Sequence, residues 1–212
     1  MNSPLSDAGA ARDRPTKSER KMVSEIKTVG VIGAGQMGSG IAHVCAVAGF
    51  RVALHDISRD RIQSGLASIN GNMARQGSKG QLEEDVRSAA LERIVAAESM
   101  EELGNMDLVI ESATENEQIK RKIFSQLCPL LKPEAILATN TSSISITRLA
   151  ASTDRPERFI GIHFMNPVPI MELVELVRGI ATEDETFEAS KEFTRKLGKT
   201  TAVAEDFPAF MV

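Results

Sequence analysis

The most informative stretch of this chain is a glycine-rich turn, Gly33-Ala34-Gly35-Gln36-Met37-Gly38. It lies between an apolar run at residues 28–32 and a segment at residues 36–48 whose apolar residues recur every three or four positions. The first pattern predicts a buried strand, and the second predicts a helix. A strand that passes through glycines directly into a helix is typical of a parallel sheet covered by helices.

Short apolar runs and longer amphipathic segments alternate along the rest of the chain. The runs that predict strands lie at residues 51–54, 107–110, 135–139, 159–164, 172–177 and 200–204. The segments that predict helices lie at residues 59–77, 83–97, 118–131, 145–150 and 186–197. The two successive helices at about 59–97 predict an inserted helical hairpin. The whole pattern favours an α/β fold with a doubly wound, mostly parallel sheet.

The composition excludes several kinds of chemistry. The 212 residues include no Trp, no Tyr, two Cys and three His, and the formal net charge is −4. A catalytic tyrosine is excluded, and two cysteines are too few for a cysteine-rich zinc site, so we expect no metal. The net negative charge and the lack of a run of Lys and Arg residues argue against nucleic acid as a partner. No apolar stretch reaches roughly 18 residues, so we expect no membrane partner.

The N-terminal segment and the cysteines bear on the compartment. Residues 1–21 lack the apolar centre of a secretory signal, and we expect residues 1–25 to form a disordered extension. Cys45 and Cys128 lie in apolar helical patterns and are predicted to be buried thiols. Both observations favour a reducing, cytoplasmic compartment.

An acidic residue follows the glycine turn at an informative distance. Asp56 ends the second predicted strand, 21 residues after Gly35. Dinucleotide sites place an acid at roughly this distance, where its carboxylate binds the ribose hydroxyls of NAD and repels the 2′-phosphate of NADP. A glycine turn without a ligand and a strand-end Asp that only caps a turn are the alternatives. Arg59, three residues on, is positioned to weaken the preference for NAD.

One of the three histidines stands at the end of a predicted strand. His163 ends the run at residues 159–164, and Glu175 follows twelve residues later among aliphatic residues. A carboxylate among apolar side chains needs a partner, because an unpaired buried charge is costly. A histidine oriented by a glutamate makes a general base. The alternative is a core histidine and an unrelated edge-strand charge, which spacing alone would favour.

Four features occur together in an informative order and spacing. They are the glycine turn continued by Ser39-Gly40-Ile41-Ala42, the stretch Asn140-Thr141-Ser142-Ser143, the motif His163-Phe164-Met165-Asn166-Pro167-Val168-Pro169, and Glu175. From about Ile26 to its last residue, the chain closely resembles the L-3-hydroxyacyl-CoA dehydrogenase family, and within it the bacterial 3-hydroxybutyryl-CoA dehydrogenases. The resemblance implies a Rossmann-type domain with a helical-hairpin arm.

The resemblance also implies a role for each matching residue. His163 would be the general base, and Glu175 would hold and support its imidazole. Ser142 would hydrogen-bond the substrate oxygen, and Asn166 would help to place both cofactor and substrate. The residues expected to bind NAD are Gly33, Gly35, Gln36, Met37, Gly38, Asp56, Glu115, Lys120, Asn140 and Asn166.

Two parts of this assignment depend on the resemblance alone. Glu115 and Lys120 match a family segment that contacts the nicotinamide side of NAD, although by themselves they are typical of a solvated helix start. The hairpin that contains Lys79 corresponds to the arm that meets coenzyme A.

The resemblance divides the chain into unequal parts. Residues 26–206 correspond to the NAD-binding domain, and residues 207–212 match the start of a C-terminal helical domain, with Ala209 where the family usually has glycine. That domain forms the dimer in the family, so we expect a homodimer for the full-length protein. We expect the 212-residue chain by itself to bind NAD with little turnover.

The expected activity is reversible, NAD-dependent oxidation of an (S)-3-hydroxyacyl-CoA, with 3-hydroxybutyryl-CoA as the expected substrate, to the 3-oxoacyl-CoA. The alternative is a non-catalytic NAD-binding paralogue with a structural or regulatory role, similar to crystallin-like relatives. His163 and Glu175 count against this alternative. A β-hydroxyacid dehydrogenase with a lysine base is disfavoured by the motif around His163.

Overall fold

The computed structural model describes residues 25–206, so the predictions for residues 1–24 and 207–212 lie outside the described part. The strands are β1 (Thr28–Ile32), β2 (Arg51–His55), β3 (Ile94–Ala97), β4 (Leu108–Glu111), β5 (Ile136–Thr139), β6 (Phe159–Phe164), β7 (Leu173–Arg178) and β8 (Thr200–Ala204). The α-helices are α1 (Gln36–Val47), α2 (Arg59–Ser78), α3 (Glu84–Glu92), α4 (Glu117–Leu127), α5 (Ile146–Ala150) and α6 (Asp184–Lys196).

The strands form one sheet in the order β3-β2-β1-β4-β5-β6-β7-β8. Neighbouring strands are parallel except β6 and β7, which are antiparallel. This architecture confirms the predicted Rossmann-type, doubly wound and mostly parallel sheet. The strand order reverses between β1 and β4, and open α/β sheets bind ligands outside the carboxyl ends of their strands at such a point. The glycine turn follows β1 at that position.

Helices pack on both faces of the sheet around two apolar cores. One core includes Ile41 of α1, Met73 of α2 and Phe193 of α6. The other includes Phe124 of α4 and Leu149 of α5. These five side chains are at most 1% exposed, and burying each contributes roughly 1.5–3 kcal/mol. The packed helices therefore hold the strand ends, and the residues that follow them, in defined positions.

The prediction of one helix over residues 83–97 is wrong in its C-terminal part. Helix α3 ends at Glu92, and Ile94–Ala97 is a strand that pairs in parallel with β2. Ile94 and Val95 are β-branched and favour extended backbone. The edge of β2 supplies hydrogen-bond partners that local apolar spacing does not reveal. Helices α2 and α3 still form the predicted hairpin.

The helix predicted at residues 118–131 is shorter than expected. Helix α4 ends at Leu127, and a 3₁₀ turn follows over Cys128–Leu130. Pro129 has no amide hydrogen to donate to the preceding turn, so the α-helix cannot continue through it.

Both cysteines are buried, as predicted. Cys45 and Cys128 are buried and free, and burial raises the pKa of both thiols. No three metal-ligating side chains cluster within residues 25–206. No helix in that range is long and apolar enough to cross a bilayer.

Candidate active site

The glycine turn connects β1 to α1 through contacts that side chains would block. Gly33 has φ +101°, and a Cβ there would lie 2.6 Å from the Ala113 Cα. A Cβ on Gly38 would lie 1.7 Å from the Gly33 carbonyl oxygen. Gly35 differs, because a Cβ on it would meet nothing within 4 Å in the part of the chain that the structure describes. Gly33 and Gly38 therefore allow the tight turn, and Gly35 leaves open space beside it.

The N-terminus of α1 is suited to an anion. Gly35 is the N-cap, no side chain within residues 25–206 caps the helix, and its first turn contains no acidic residue. The first amides of a helix have no intrahelical acceptor and carry a partial positive charge, so they attract phosphate. Gln36 is exposed at this end, and Met37 lines the cavity next to it.

Asp56 fastens the glycine turn to the end of β2. Its Oδ2 accepts a hydrogen bond from the Ala34 amide at 2.9 Å, and its Oδ1 accepts one from the Ser58 amide at 3.3 Å. It lines a cavity of about 640 Å³ on the β2 side of the turn. Arg59 forms an exposed ion pair with Glu98 at 3.0 Å. The Arg59 guanidinium therefore pairs with a glutamate that does not line this cavity.

His163 and Glu175 lie directly opposite each other on the antiparallel strands β6 and β7. The His163 Nδ1 is 2.7 Å from the Glu175 Oε2. An ionised carboxylate only accepts hydrogen bonds, so Nδ1 is the donor. The histidine side chain is 14% exposed and the glutamate is 0% exposed. The Glu175 Oε1 is buried without a hydrogen-bond partner in the described part of the chain. The polar contact of this carboxylate is thus directed to one imidazole.

A second cavity, of about 400 Å³, lies on the other side of the turn. The predicted residues that line it are Met37, Glu115, Asn140, Ser142, His163 and Asn166. Ala113 and Thr114 line both this cavity and the one that contains Asp56. The two cavities therefore adjoin beside the glycine turn. An elongated molecule with phosphates at its centre, such as NAD, matches this layout.

Glu115 organises the serines of the second cavity. Its Oε1 accepts hydrogen bonds from the Thr141 hydroxyl at 2.6 Å, the Ser142 amide at 3.0 Å and the Ser143 hydroxyl at 3.0 Å. The Ser142 hydroxyl also donates to it, at 3.2 Å. Burial opposes ionisation of Glu115, but these donors outweigh it and hold its pKa below the ordinary value. Glu115 is thus an anion that keeps Ser142 at the cavity wall.

Two asparagines in the wall of the second cavity, Asn140 and Asn166, link segments that are distant in the sequence. The Asn166 Oδ1 accepts a hydrogen bond from the Gln36 Nε2 at 3.1 Å, which links the histidine motif to the start of α1. The Asn140 Oδ1 accepts one from the Phe164 amide at 2.9 Å, which joins the ends of β5 and β6. Residues far apart in the sequence are therefore held around one space.

Lys120 is buried behind the wall of this cavity, and its contact with the nicotinamide side of NAD stays a prediction. Its side chain is 0% exposed, and its Nζ donates to the Glu111 Oε2 at 2.5 Å and to the Thr139 hydroxyl at 3.1 Å. It does not line the histidine cavity. The Glu111 Oε1 accepts a hydrogen bond from the Ala113 amide at 2.8 Å. Lys120 therefore supports the cavity wall through Glu111, and its charge also helps to lower the pKa of Glu115.

Sequence reasoning missed the roles of Glu111 and Thr139 in this buried network. The available signal was a glutamate at the end of the apolar run that forms β4, nine residues before a lysine. Buried charges occur in pairs. A search for the partner of Glu111 among the residues that follow β4 would therefore have reached Lys120.

The remaining histidines have structural partners. The His43 Nε2 is 3.0 Å from the Gln76 Oε1, and burial lowers the pKa of His43. The His55 Nδ1 is 2.9 Å from the Ala97 carbonyl oxygen.

Lys79 lines a smaller cavity of about 190 Å³ between α2 and the loop after β6. The hairpin thus faces the residues that follow His163.

Comparison with known proteins identifies close relatives. The chain is 70% identical over 191 residues to a 3-hydroxybutyryl-CoA dehydrogenase of Bradyrhizobium diazoefficiens, covering 90% of the chain and 65% of that relative. It is 44% identical over 187 residues to a probable 3-hydroxybutyryl-CoA dehydrogenase of Bacillus subtilis, covering 88% of the chain and 65% of that relative. The chain thus spans about two thirds of the length of these relatives.

A solved structure and a family pattern agree with the sequence relatives. The crystal structure of (S)-3-hydroxybutyryl-CoA dehydrogenase PaaH1 from Ralstonia eutropha matches with a TM-score of 0.86 and 46% identity, over 88% of this chain and 66% of that one. The pattern of the family described as "3-hydroxyacyl-CoA dehydrogenase, NAD binding domain" matches residues 28–207. The chain belongs to the 3-hydroxyacyl-CoA dehydrogenase family, as its NAD-binding domain, and its cofactor is NAD.

Proposed function

We propose that the protein catalyses the reversible, NAD-dependent oxidation of an (S)-3-hydroxyacyl-CoA, such as 3-hydroxybutyryl-CoA, to the 3-oxoacyl-CoA. The observation that carries this proposal is the hydrogen bond of 2.7 Å between the His163 Nδ1 and the buried Glu175 Oε2 at the wall of the cavity that also contains Ser142 and Asn166. The names of the relatives support the substrate class.

His163 is the proposed general base. With Nδ1 held by Glu175, Nε2 is the nitrogen that would take the proton of the substrate hydroxyl. Glu175 fixes the orientation of the ring and stabilises the imidazolium that forms. Bound NAD supplies the acceptor for the hydride that leaves C3 of the substrate. In the reverse direction, protonated His163 would donate its proton to the ketone oxygen.

Ser142 and Asn166 are the proposed positioning groups for the reacting carbon. Ser142 would turn its hydroxyl from Glu115 to the substrate oxygen, while its backbone amide keeps its bond to Glu115. Asn166 is tied to Gln36 at the start of α1 and would place substrate relative to the cofactor. Holding two reactants in register lowers the barrier by converting a bimolecular step into an intramolecular one.

The activity is tested with the complete reading frame that contains this chain. We expect NADH to form from (S)-3-hydroxybutyryl-CoA and NAD, measured by absorbance, with much slower formation from the (R)-isomer, because His163 approaches the substrate from one side. Free 3-hydroxybutyrate serves as the control without a coenzyme A group. Binding of NAD without turnover of any 3-hydroxyacyl-CoA would contradict the proposal and support the non-catalytic alternative.

Asp56 is expected to set the preference for NAD over NADP. Asp56→Asn removes the charge that repels a 2′-phosphate and weakens a charge-assisted bond to the ribose diol. We expect the ratio of the NADP to NAD dissociation constants to fall about 10- to 100-fold, as for loss of one hydrogen bond to a charged group. Calorimetry on the 212-residue chain measures both constants. Asp60→Asn, on the exposed start of α2, is the matched control. An unchanged ratio in Asp56→Asn would exclude this role.

The partners and location are also proposals. We propose that the full-length protein is a homodimer in the cytoplasm, with acyl-CoA as its substrate and neither nucleic acid nor membrane as a partner. The free, buried thiols of Cys45 and Cys128 support a reducing compartment. The net charge of −4 supports the absence of a nucleic-acid surface. Analytical ultracentrifugation of the full-length protein and cell fractionation test the dimer and the location.

A further inference from the structure

A lysine outside every predicted motif holds the loop that follows His163. The β6–β7 loop comprises residues 165–172. The Lys199 Nζ donates to the Val168 carbonyl oxygen at 2.7 Å and to the Met171 carbonyl oxygen at 2.7 Å. Lys199 belongs to the turn between α6 and β8, about thirty residues further along the chain. One ammonium thus joins two points of the loop to a separate part of the fold.

The end of α6 and the start of β8 direct the Lys199 side chain toward the β6–β7 loop. Helix α6 ends at Lys196, and Gly198 follows with φ +70°, which a residue without a Cβ adopts readily. The Thr200 amide then donates to the Glu172 carbonyl oxygen at 2.9 Å, which starts the pairing of β8 with β7. Lys199 is therefore fixed between a helix end and a strand start. Burial holds the pKa of Lys199 below its ordinary value, and the charge of Glu172 offsets part of this effect.

The loop is a wall shared by two cavities. Asn166 lines the cavity that contains His163. Pro167, Pro169 and Ile170 line the cavity that faces α2 and Lys79. On its inner side the loop packs against α1, because a Cβ on Gly40 would lie 2.8 Å from the Val168 Cβ. The position of the loop thus sets the shape of both cavities at once.

We propose that Lys199 is a positioning residue for the acyl-CoA substrate, acting through the β6–β7 loop. This inference rests on the proposed function. By holding the Val168 and Met171 carbonyls, Lys199 keeps Asn166 beside His163 and keeps Pro169 facing the hairpin. Without the ammonium, the two carbonyls lose a shared donor and the loop relaxes away from the substrate side. The Asp56 cavity does not include this loop, so binding of the adenosine half of NAD is not affected.

The test compares Lys199→Met with Lys199→Arg in the full-length enzyme. We expect Lys199→Met to lower kcat/KM for 3-hydroxybutyryl-CoA about 10- to 100-fold, the scale of a misplaced substrate, mainly through a higher KM. The KM for NAD rises much less than the KM for the acyl-CoA, because the cavity that contains Asp56 does not include this loop. Lys199→Arg keeps a cation with several donors and recovers most of the loss. Lys191→Met, at an exposed position on α6, is the matched control and behaves as wild type.

The outcomes separate this inference from the proposed function. A variant that is only less well folded would show lower kcat with both KM values unchanged, and that result for Lys199→Met would overturn the inference. Equal KM increases for NAD and acyl-CoA would also overturn it. A wild-type enzyme without turnover would overturn the proposed function and, with it, the inference. An active wild type together with an unchanged acyl-CoA KM in Lys199→Met would overturn the inference alone.

Discussion

His163→Gln is expected to lower kcat for oxidation of 3-hydroxybutyryl-CoA by about 10²- to 10⁴-fold, the usual contribution of a general base. The glutamine side chain is similar in length and polar, but it cannot take the substrate proton. His163 lies at the cavity wall with its Nδ1 bound to Glu175, so the substitution removes the imidazole that residues 25–206 contribute to this cavity. Initial rates of NADH formation with saturating NAD and substrate measure the effect.

The control for this prediction is His43→Gln, which removes an imidazole from the neighbouring helix α1. His43 contacts Gln76 and lines none of the cavities described above. We expect its kcat to stay close to wild type, and we expect NAD to bind both variants with wild-type affinity in calorimetry. A wild-type kcat in His163→Gln would rule out this residue as the base. A loss of NAD affinity in the same variant would mean that the cavity had been disturbed as a whole.

Lys120→Met is expected to destabilise the chain by about 3–5 kcal/mol, because it leaves the Glu111 carboxylate buried without its cation. Both side chains are 0% exposed, and their charged atoms are 2.5 Å apart. Water cannot replace the ammonium at this depth without opening the space between α4 and the sheet. Urea denaturation of the 212-residue chain, followed by circular dichroism, measures the change in the free energy of unfolding.

Two comparisons make this prediction specific to the buried pair. Lys122→Met changes an exposed lysine on the same helix and is expected to alter stability by less than about 0.5 kcal/mol. Lys120→Met combined with Glu111→Gln removes both charges and is expected to be more stable than Lys120→Met alone. Equal effects of Lys120→Met and Lys122→Met would show that the ion pair contributes little.

The strands and their connections were largely predictable because their signals are local. The apolar run at residues 28–32, the glycines of the turn and the spacing of apolar residues in α1 each report on their own segment. β3 was not predictable in this way. Its short apolar run, Ile94–Ala97, gains its backbone partners from β2, some forty residues earlier in the chain. Pairing between distant segments leaves no mark in local periodicity.

The residues of the candidate site also differ in whether sequence signals reveal their partners. A buried carboxylate needs a partner, which made Glu175 a candidate for His163. Their spacing alone favoured an unrelated pair, and the family resemblance is what joined them. Lys120 was assigned to the cofactor by the family resemblance alone, and that role stays a prediction. Its burial against Glu111 was not predictable from its own segment, which is typical of a solvated helix start. Lys199 carried no motif at all. Its contacts are to backbone carbonyls, which every residue has, so no residue type at the receiving end could signal them.

The amino-acid sequence by itself determined the class of fold, the dinucleotide turn and the residue types available for catalysis, because these depend on local periodicity, on glycine and on composition. Only the tertiary structure decided which of those residues meet. The antiparallel register of β6 and β7 sets His163 against Glu175, the reversal of strand order at β1 and β4 brings the Asp56 and His163 cavities side by side, and the turn after α6 directs Lys199 to the loop. Distances between segments far apart in the chain arise from packing, and packing is a property of the folded molecule as a whole.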